Sequence, residues 1–125
     1  MFKENNSNFA IEKYDSMTIT EQFICGKHTA ADCEDGIVIT PHFAAVIDGT
    51  PIYMPGTRII TAAHSVVLAS DGYPTLLPTL RESEEALAKH LATDPQNITD
   101  FVATKGLVEG NASFDDRAYV SLNIL

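Results

Sequence analysis

The feature that most constrains the fold is a series of short apolar runs, each bounded by glycine, proline or aspartate. The clearest runs are 36–40, 43–47 and 65–69. Runs of about five residues rich in valine and isoleucine are typical of buried strands, because an amphipathic helix needs roughly ten residues or more. Pro41-His42 separates the first two runs, so we expect them to form a hairpin with a tight connection.

Weaker patterns fill in the rest of the chain. Alternation of β-branched and polar residues predicts strands at 16–25 and 118–125. Residues 79–93 predict a helix, because Thr79-x-x-Glu82 matches a capping box. We expect a loose N-terminal segment at 1–15, a loop or irregular strand at 50–61, and a second short helix at 95–103.

This order of elements predicts one α+β domain over residues 1–125 with a largely antiparallel sheet. Apolar residues make up 45% of the chain, which favours a globular fold over a disordered one. Eight basic against 17 acidic residues give a net charge of −9, which argues against a nucleic-acid partner. The polar N-terminus and the short apolar runs predict a cytoplasmic protein that neither enters a membrane nor carries a secretory signal.

Acidic residues lie at the ends of the predicted strands. Because such positions avoid the core while rigid strands hold them, acids on neighbouring strands can converge on one rim. Converging carboxylates repel one another unless a cation neutralises them, and hard cations such as Mg²⁺ and Mn²⁺ prefer oxygen ligands. The acids concerned are Glu34, Asp35, Asp48, Asp71, Asp115 and Asp116.

A simpler interpretation is that these acids only form turns. Asp-Gly after a strand is a common hairpin turn, and it occurs here at Asp48-Gly49 and Asp71-Gly72. Under this alternative the chain is a small α+β domain without a metal site.

Four motifs in order resemble those of the metal-dependent type-2C protein phosphatases. That family has an E-D pair before its first hairpin, a D-G motif, an S-D-G motif and an acidic motif before its last strand. The matching segments here are Glu34-Asp35, Phe43–Gly49, Val67–Gly72 and Asp115–Val120.

The resemblance implies an antiparallel β-sandwich flanked by helices, with two Mg²⁺ or Mn²⁺ ions at one end of the sheets. It implies hydrolysis of a phosphoprotein or a small phosphomonoester by metal-activated water. In this assignment Asp48 bridges the two ions, Gly49 offers its carbonyl oxygen, and Asp71 and Asp115 complete one site. Glu34 or its neighbour Asp35 acts through bound water, and Asp116 is the alternative to Asp115.

The sequence also departs from the family. Residues 50–63 replace nearly all of the family's central region, so the sandwich is expected to be shortened, and a homodimer could complete its core. The glycines that follow the family's D-G motif are absent, and Ala30 stands where many members place a phosphate-binding arginine. Lys27 or His28 could take that role. These gaps favour an alternative function as a non-catalytic binding module or an inactive shortened form.

The remaining candidate residues have simple structural interpretations. The histidines lack paired metal-ligand spacing, and His90 is expected to be solvated on its helix. The acidic run at 82–85 is expected to be a solvated helix start, and Lys105-Gly106 to end the second helix. Cys25 and Cys33 are expected to be reduced thiols, because zinc sites show tighter pairs and more ligands.

Overall fold

A computed structural model describes residues 2–4, 8–12, 17–41, 43–49, 56–58 and 65–124. These residues form eight strands and one helix. In chain order they are β1 (Phe2–Glu4), β2 (Asn8–Glu12), β3 (Met17–Cys25), β4 (Gly36–Ile39), β5 (Phe43–Ile47), β6 (Gly56–Arg58), β7 (Ser65–Ala69), α1 (Leu80–Thr93) and β8 (Arg117–Ile124).

The strands form two four-stranded sheets, with the orders β1-β7-β8-β3 and β4-β5-β2-β6. Four of the six strand pairs are antiparallel; the two parallel pairs are β1 with β7 and β2 with β6. The predicted α+β class and largely antiparallel pairing are therefore confirmed. The predicted hairpin is present as β4 and β5, with Ile37 opposite Val46.

The two sheets pack face to face through a shared apolar core. Ala44 and Val46 of β5 contact a fully buried group from β7 and β8 that includes Leu68 and Val120. On the opposite face of the β7–β8 sheet, Leu87 of α1 packs in a second apolar cluster. Three layers result: one sheet, a second sheet, and the helix.

Helix α1 begins and docks through specific polar contacts. The Thr79 side chain accepts a hydrogen bond from the Glu82 backbone N–H, as the capping pattern predicts. Ser83 is fully buried, and its hydroxyl both donates to the Leu77 carbonyl and accepts from the Leu77 N–H. Arg117 at the start of β8 donates hydrogen bonds to Glu84. The prediction that the acidic run at 82–85 is solvated is therefore wrong for Glu84.

Two predictions at the level of elements are wrong. In the N-terminal segment the described residues form β1 and β2 rather than a loose segment, because each strand pairs with a distant part of the chain. Residues 1, 5–7 and 13–15 lie outside the described part of the chain. Residues 95–103 form turns instead of a second helix. The Asp94 carboxylate accepts hydrogen bonds from the N–H groups of Ile98, Thr99 and Asp100, which a helix would use for its own carbonyls.

Two other expectations are only partly covered by the described residues. Within the stretch predicted to be irregular, Gly56–Arg58 forms β6, and residues 50–55 and 59–61 lie outside the described part of the chain. No helix of the described part is long and apolar enough to cross a bilayer.

Candidate functional site

The strand topology brings the acidic residues to one end of the two sheets. Asp71 follows β7, and Asp115-Asp116 precedes β8; these strands are antiparallel neighbours with Ala69 opposite Tyr119. The end of one strand therefore lies beside the start of the other. Asp48 follows β5 in the facing sheet, and its negative charge contributes to raising the pKa of Asp71.

Close backbone approach explains why glycine follows both aspartates. A Cβ atom on Gly49 would lie 2.5 Å from the Glu34 Cβ, and one on Gly72 would lie 2.3 Å from the Asp116 carbonyl oxygen. Neither contact is sterically allowed, so both turns require glycine. The same contacts bring Asp48 close to the Glu34 segment and Asp71 close to the Asp116 segment.

Asp48 and Asp71 form an interacting pair of carboxyl groups. Desolvation of the Asp71 carboxyl, repulsion from Asp48 and Asp115, and a hydrogen bond with the Asp48 side chain raise the pKa of Asp71 to about 6. Two carboxylates this close cannot both ionise without a penalty, so either a proton or a cation stabilises the pair. Among the carboxyl groups of the described residues, Asp71 has the most strongly raised pKa.

Asp35 lies beneath this pair and positions one of its turns. The side chain is buried, and its Oδ1 accepts a hydrogen bond of 3.1 Å from the Gly49 N–H. Burial raises the pKa of Asp35, and contacts with the Ser70 hydroxyl and the Gly49 amide only partly offset that effect. Its buried Oδ2 accepts no hydrogen bond from any of the described residues. A water molecule or a cation could therefore bind this oxygen.

Asp116 has a structural role. It is 4% exposed, its Oδ1 accepts from the Lys27 N–H at 2.8 Å, and its Oδ2 accepts from the Glu34 N–H at 3.1 Å. Both carboxylate oxygens thus hold the segment that leads into β4. Glu34 itself is exposed, and only its backbone contributes to these contacts.

Asp115 is available at the site but already has a cationic partner. Its Oδ1 lies 3.4 Å from the Lys27 Nζ and accepts from the Asp116 N–H at 2.8 Å. The Lys27 and Asp115 side chains are 35% and 47% exposed, so this ion pair lies at the protein surface. The nearby Asp115 carboxylate raises the pKa of Lys27, which keeps its ammonium group charged.

The donor chemistry of the site suits a hard cation, although the side chains are not arranged as a finished metal centre. Asp48, Asp71 and Asp115 offer only oxygen donors, and the buried Oδ2 of Asp35 has no hydrogen-bond partner in the described part of the chain. Within the described ranges no three His, Cys, Asp or Glu side chains are grouped closely enough to hold an ion. A cation would thus have to draw the carboxylates together and displace the Lys27 ammonium from Asp115.

A cavity of about 310 Å³ opens beside these acids. Its lining includes the acids Asp71 and Asp115, an aromatic wall made by Phe101 and Phe114, and the cationic Lys105. None of the last three was identified from the sequence as a functional residue. Phe101 lies within the second helix predicted at 95–103, Lys105 was interpreted as part of the end of that helix, and Phe114 had no assigned role. The aromatic pair, thirteen positions apart, gives no recognisable sequence pattern.

His90 supports the aromatic wall and is half-buried, rather than fully solvated as expected. Its ring makes edge contacts with Phe101 and Phe114, at centroid distances of 5.4 and 5.3 Å. Its Nε2 also hydrogen bonds to the side-chain oxygen of Asn97. The last turn of α1 is thereby connected to the aromatic wall of the cavity.

Of the residues predicted to form a site, the structure brings together Asp48, Asp71 and Asp115, with Asp35 directly behind the Asp48-Gly49 turn. It gives Asp116 and the backbone of Glu34 structural contacts. Comparison of this chain with protein-family models, curated proteins and solved structures finds no match.

Proposed function

We propose that this chain is a divalent-cation-dependent phosphomonoesterase that resembles the type-2C protein phosphatases. The observation that carries the proposal is the Asp48–Asp71 carboxyl pair, which two strand ends from facing sheets hold together. The order of the four acidic motifs supports the family assignment, and so do the two packed sheets, in which four of the six strand pairs are antiparallel.

Asp48, Asp71 and Asp115 are the residues that would hold the cations. When bound, Mg²⁺ or Mn²⁺ would supply an activated water and would neutralise charge on the phosphoryl group. Hydrolysis breaks the bond between phosphorus and the ester oxygen; water contributes a hydroxyl to phosphorus and a proton to the departing alcohol.

The other residues of the site have supporting tasks. Asp35 fixes the Asp48-Gly49 turn through the Gly49 amide, and Asp116 fixes the segment that carries Lys27 and Glu34. The Lys27 ammonium, released from Asp115 when a cation binds, would then be free to contact a phosphate oxygen. Its backbone is held in place by Asp116, so the side chain can move without disturbing the loop.

The test is hydrolysis of p-nitrophenyl phosphate with and without Mn²⁺ in the wild type and in Asp48→Asn. We expect turnover that requires Mn²⁺ and falls at least a hundredfold in Asp48→Asn. Asp100→Asn is the matched control, because Asp100 is exposed and outside the acidic group, and it should retain wild-type turnover. Absence of turnover at every Mn²⁺ concentration, in folded wild-type protein, would refute the proposal.

A non-catalytic binding module is the second candidate, and the Lys27–Asp115 ion pair favours it. An ammonium group 3.4 Å from Asp115 already neutralises part of the acidic charge without a metal. This candidate predicts a folded protein that binds Mn²⁺ weakly and hydrolyses no aryl phosphate. Lys27→Met would then tighten Mn²⁺ binding and still give no turnover.

A further inference from the structure

The cavity beside the acidic residues has the composition of a ligand site. At about 310 Å³ it lies at the lower end of the range for small-molecule pockets, roughly 300–1,000 Å³. Its lining includes two aromatic residues, Phe101 and Phe114, and one cationic side chain, Lys105. Such a volume accommodates a small molecule and not a folded protein segment.

Phe101 is held in an unusual state for a phenylalanine. Its side chain is 44% exposed, and its backbone φ is +54°, a left-handed conformation that bulky residues rarely adopt. Asn97 in the same segment has φ +52°. Strained, exposed aromatic positions of this kind persist where the surrounding contacts impose them, and they are common in ligand sites.

Those contacts make the wall rigid. The Asn97 side-chain amide donates to the Thr104 hydroxyl and to the Lys105 carbonyl, and Asp94 accepts three consecutive backbone N–H groups from residues 98–100. The Phe101 ring also contacts His90 on α1. A wall held by hydrogen bonds on both sides of Phe101 presents its ring in a fixed place before any ligand arrives.

We propose that this cavity binds the aromatic group of a small aryl phosphomonoester, with the ester phosphate directed to the acidic residues. The inference rests on the proposed function and adds a substrate class to it. Asp71 and Asp115 border both the cavity and the proposed metal site, so one molecule can occupy both. The exposed Phe101 offers aromatic contact for a ring, the largely buried Phe114 completes that wall of the cavity, and Lys105 complements the anionic charge of the ester.

The first experiment measures binding without turnover. Phenylphosphonate and methylphosphonate, which cannot be hydrolysed, are titrated in Mg²⁺ and followed by ligand-observed NMR. We expect phenylphosphonate to bind at least fivefold more tightly than methylphosphonate. Phe101→Ala should remove that preference, Phe101→Tyr should keep it, and Val102→Ala should match the wild type, because Val102 is 69% exposed and does not line the cavity.

The second experiment compares KM for p-nitrophenyl phosphate and for glycerol 2-phosphate. Phe101→Ala should raise KM for the aryl ester at least fivefold and leave KM for the glycerol ester within twofold. Equal binding of the two phosphonates, or an unchanged KM in Phe101→Ala, would overturn the inference while leaving the proposed function intact. A ring preference that depends on Phe101, in a protein without turnover, would refute the proposed function and support the aromatic site.

Discussion

At the scale of single residues, Asp71 is the carboxyl group whose environment most clearly sets the behaviour of the site. Its pKa is about 6 in the folded chain, against 3.8 for an unperturbed aspartate. At pH values between 3.8 and about 6, Asp71 holds a proton in the folded protein and has lost it in the unfolded chain. The free energy of unfolding therefore falls as pH rises through this window, and the full penalty is present above pH 6.

We expect Asp71→Asn to stabilise the cation-free protein at pH 7.5 and to have little effect near pH 4. The difference between a pKa of 3.8 and one of about 6 corresponds to roughly 3 kcal/mol. Because Asp71 remains exposed to solvent, which screens the repulsion, we expect about 1 kcal/mol. Thermal unfolding in chelator at several pH values measures this difference. The exposed Asp100→Asn serves as the control, and a stabilisation that is constant with pH would contradict the prediction.

At the scale of elements, one ion pair joins the helix to the sheet. The Arg117 Nε and Nη2 donate to the two carboxylate oxygens of Glu84 at 2.7 and 2.8 Å, and the two side chains are 12% and 28% exposed. Burial opposes ionisation of Glu84, but the hydrogen bonds from Arg117, the contact with the Tyr73 hydroxyl and the charge of Arg117 together outweigh burial and lower the pKa of Glu84. The Arg117 guanidinium also lies 5.6 Å from the centre of the Phe23 ring.

Glu84→Gln should destabilise the protein by about 2 kcal/mol, because it leaves a largely buried guanidinium without its counter-charge. Glu85→Gln on the same helix is the matched control. Its partner Arg81 is 86% exposed, and such surface pairs contribute less than about 1 kcal/mol. Urea unfolding of both variants gives the comparison, and equal losses would show that the Arg117 pair adds no more than a surface pair.

The elements that were predicted correctly are those whose signals are local. The β4–β5 hairpin and the Thr79 cap each depend on a few consecutive residues. Strands β1 and β2 were missed because partners more than thirty residues away stabilise them. The prediction of a second helix was wrong because the Asp94 side chain accepts hydrogen bonds from three backbone amides. The periodicity of apolar residues in the sequence does not indicate such contacts.

The same distinction separates the two halves of the candidate site. The acids could be found because Asp48-Gly49 and Asp71-Gly72 mark strand ends, and strand ends sharing one rim can bring their acids together. Which of Asp115 and Asp116 faces the cavity depends on tertiary contacts. Both carboxylate oxygens of Asp116 accept hydrogen bonds from backbone amides, whereas Asp115 lines the cavity.

At the scale of the whole molecule, a net charge of −9 on 125 residues makes stability sensitive to ions. Monovalent salt screens repulsion between exposed carboxylates wherever they lie. A divalent cation held by particular carboxylates adds a separate term, because a ligand that binds only the folded state stabilises it by mass action. The two effects can be separated by comparing Mg²⁺ with NaCl at equal ionic strength.

We therefore expect Mg²⁺ to raise the thermal midpoint above that in NaCl of matched ionic strength. At a hundredfold excess over its Kd the added stability would be about 2.7 kcal/mol. Asp48→Asn should abolish the difference between the two salts, since Asp48 belongs to the perturbed carboxyl pair, whereas Asp100→Asn should preserve it. Identical midpoints in the two salts would mean that the acids at the strand ends act only as turn residues, because a specific site must distinguish a divalent cation from general screening.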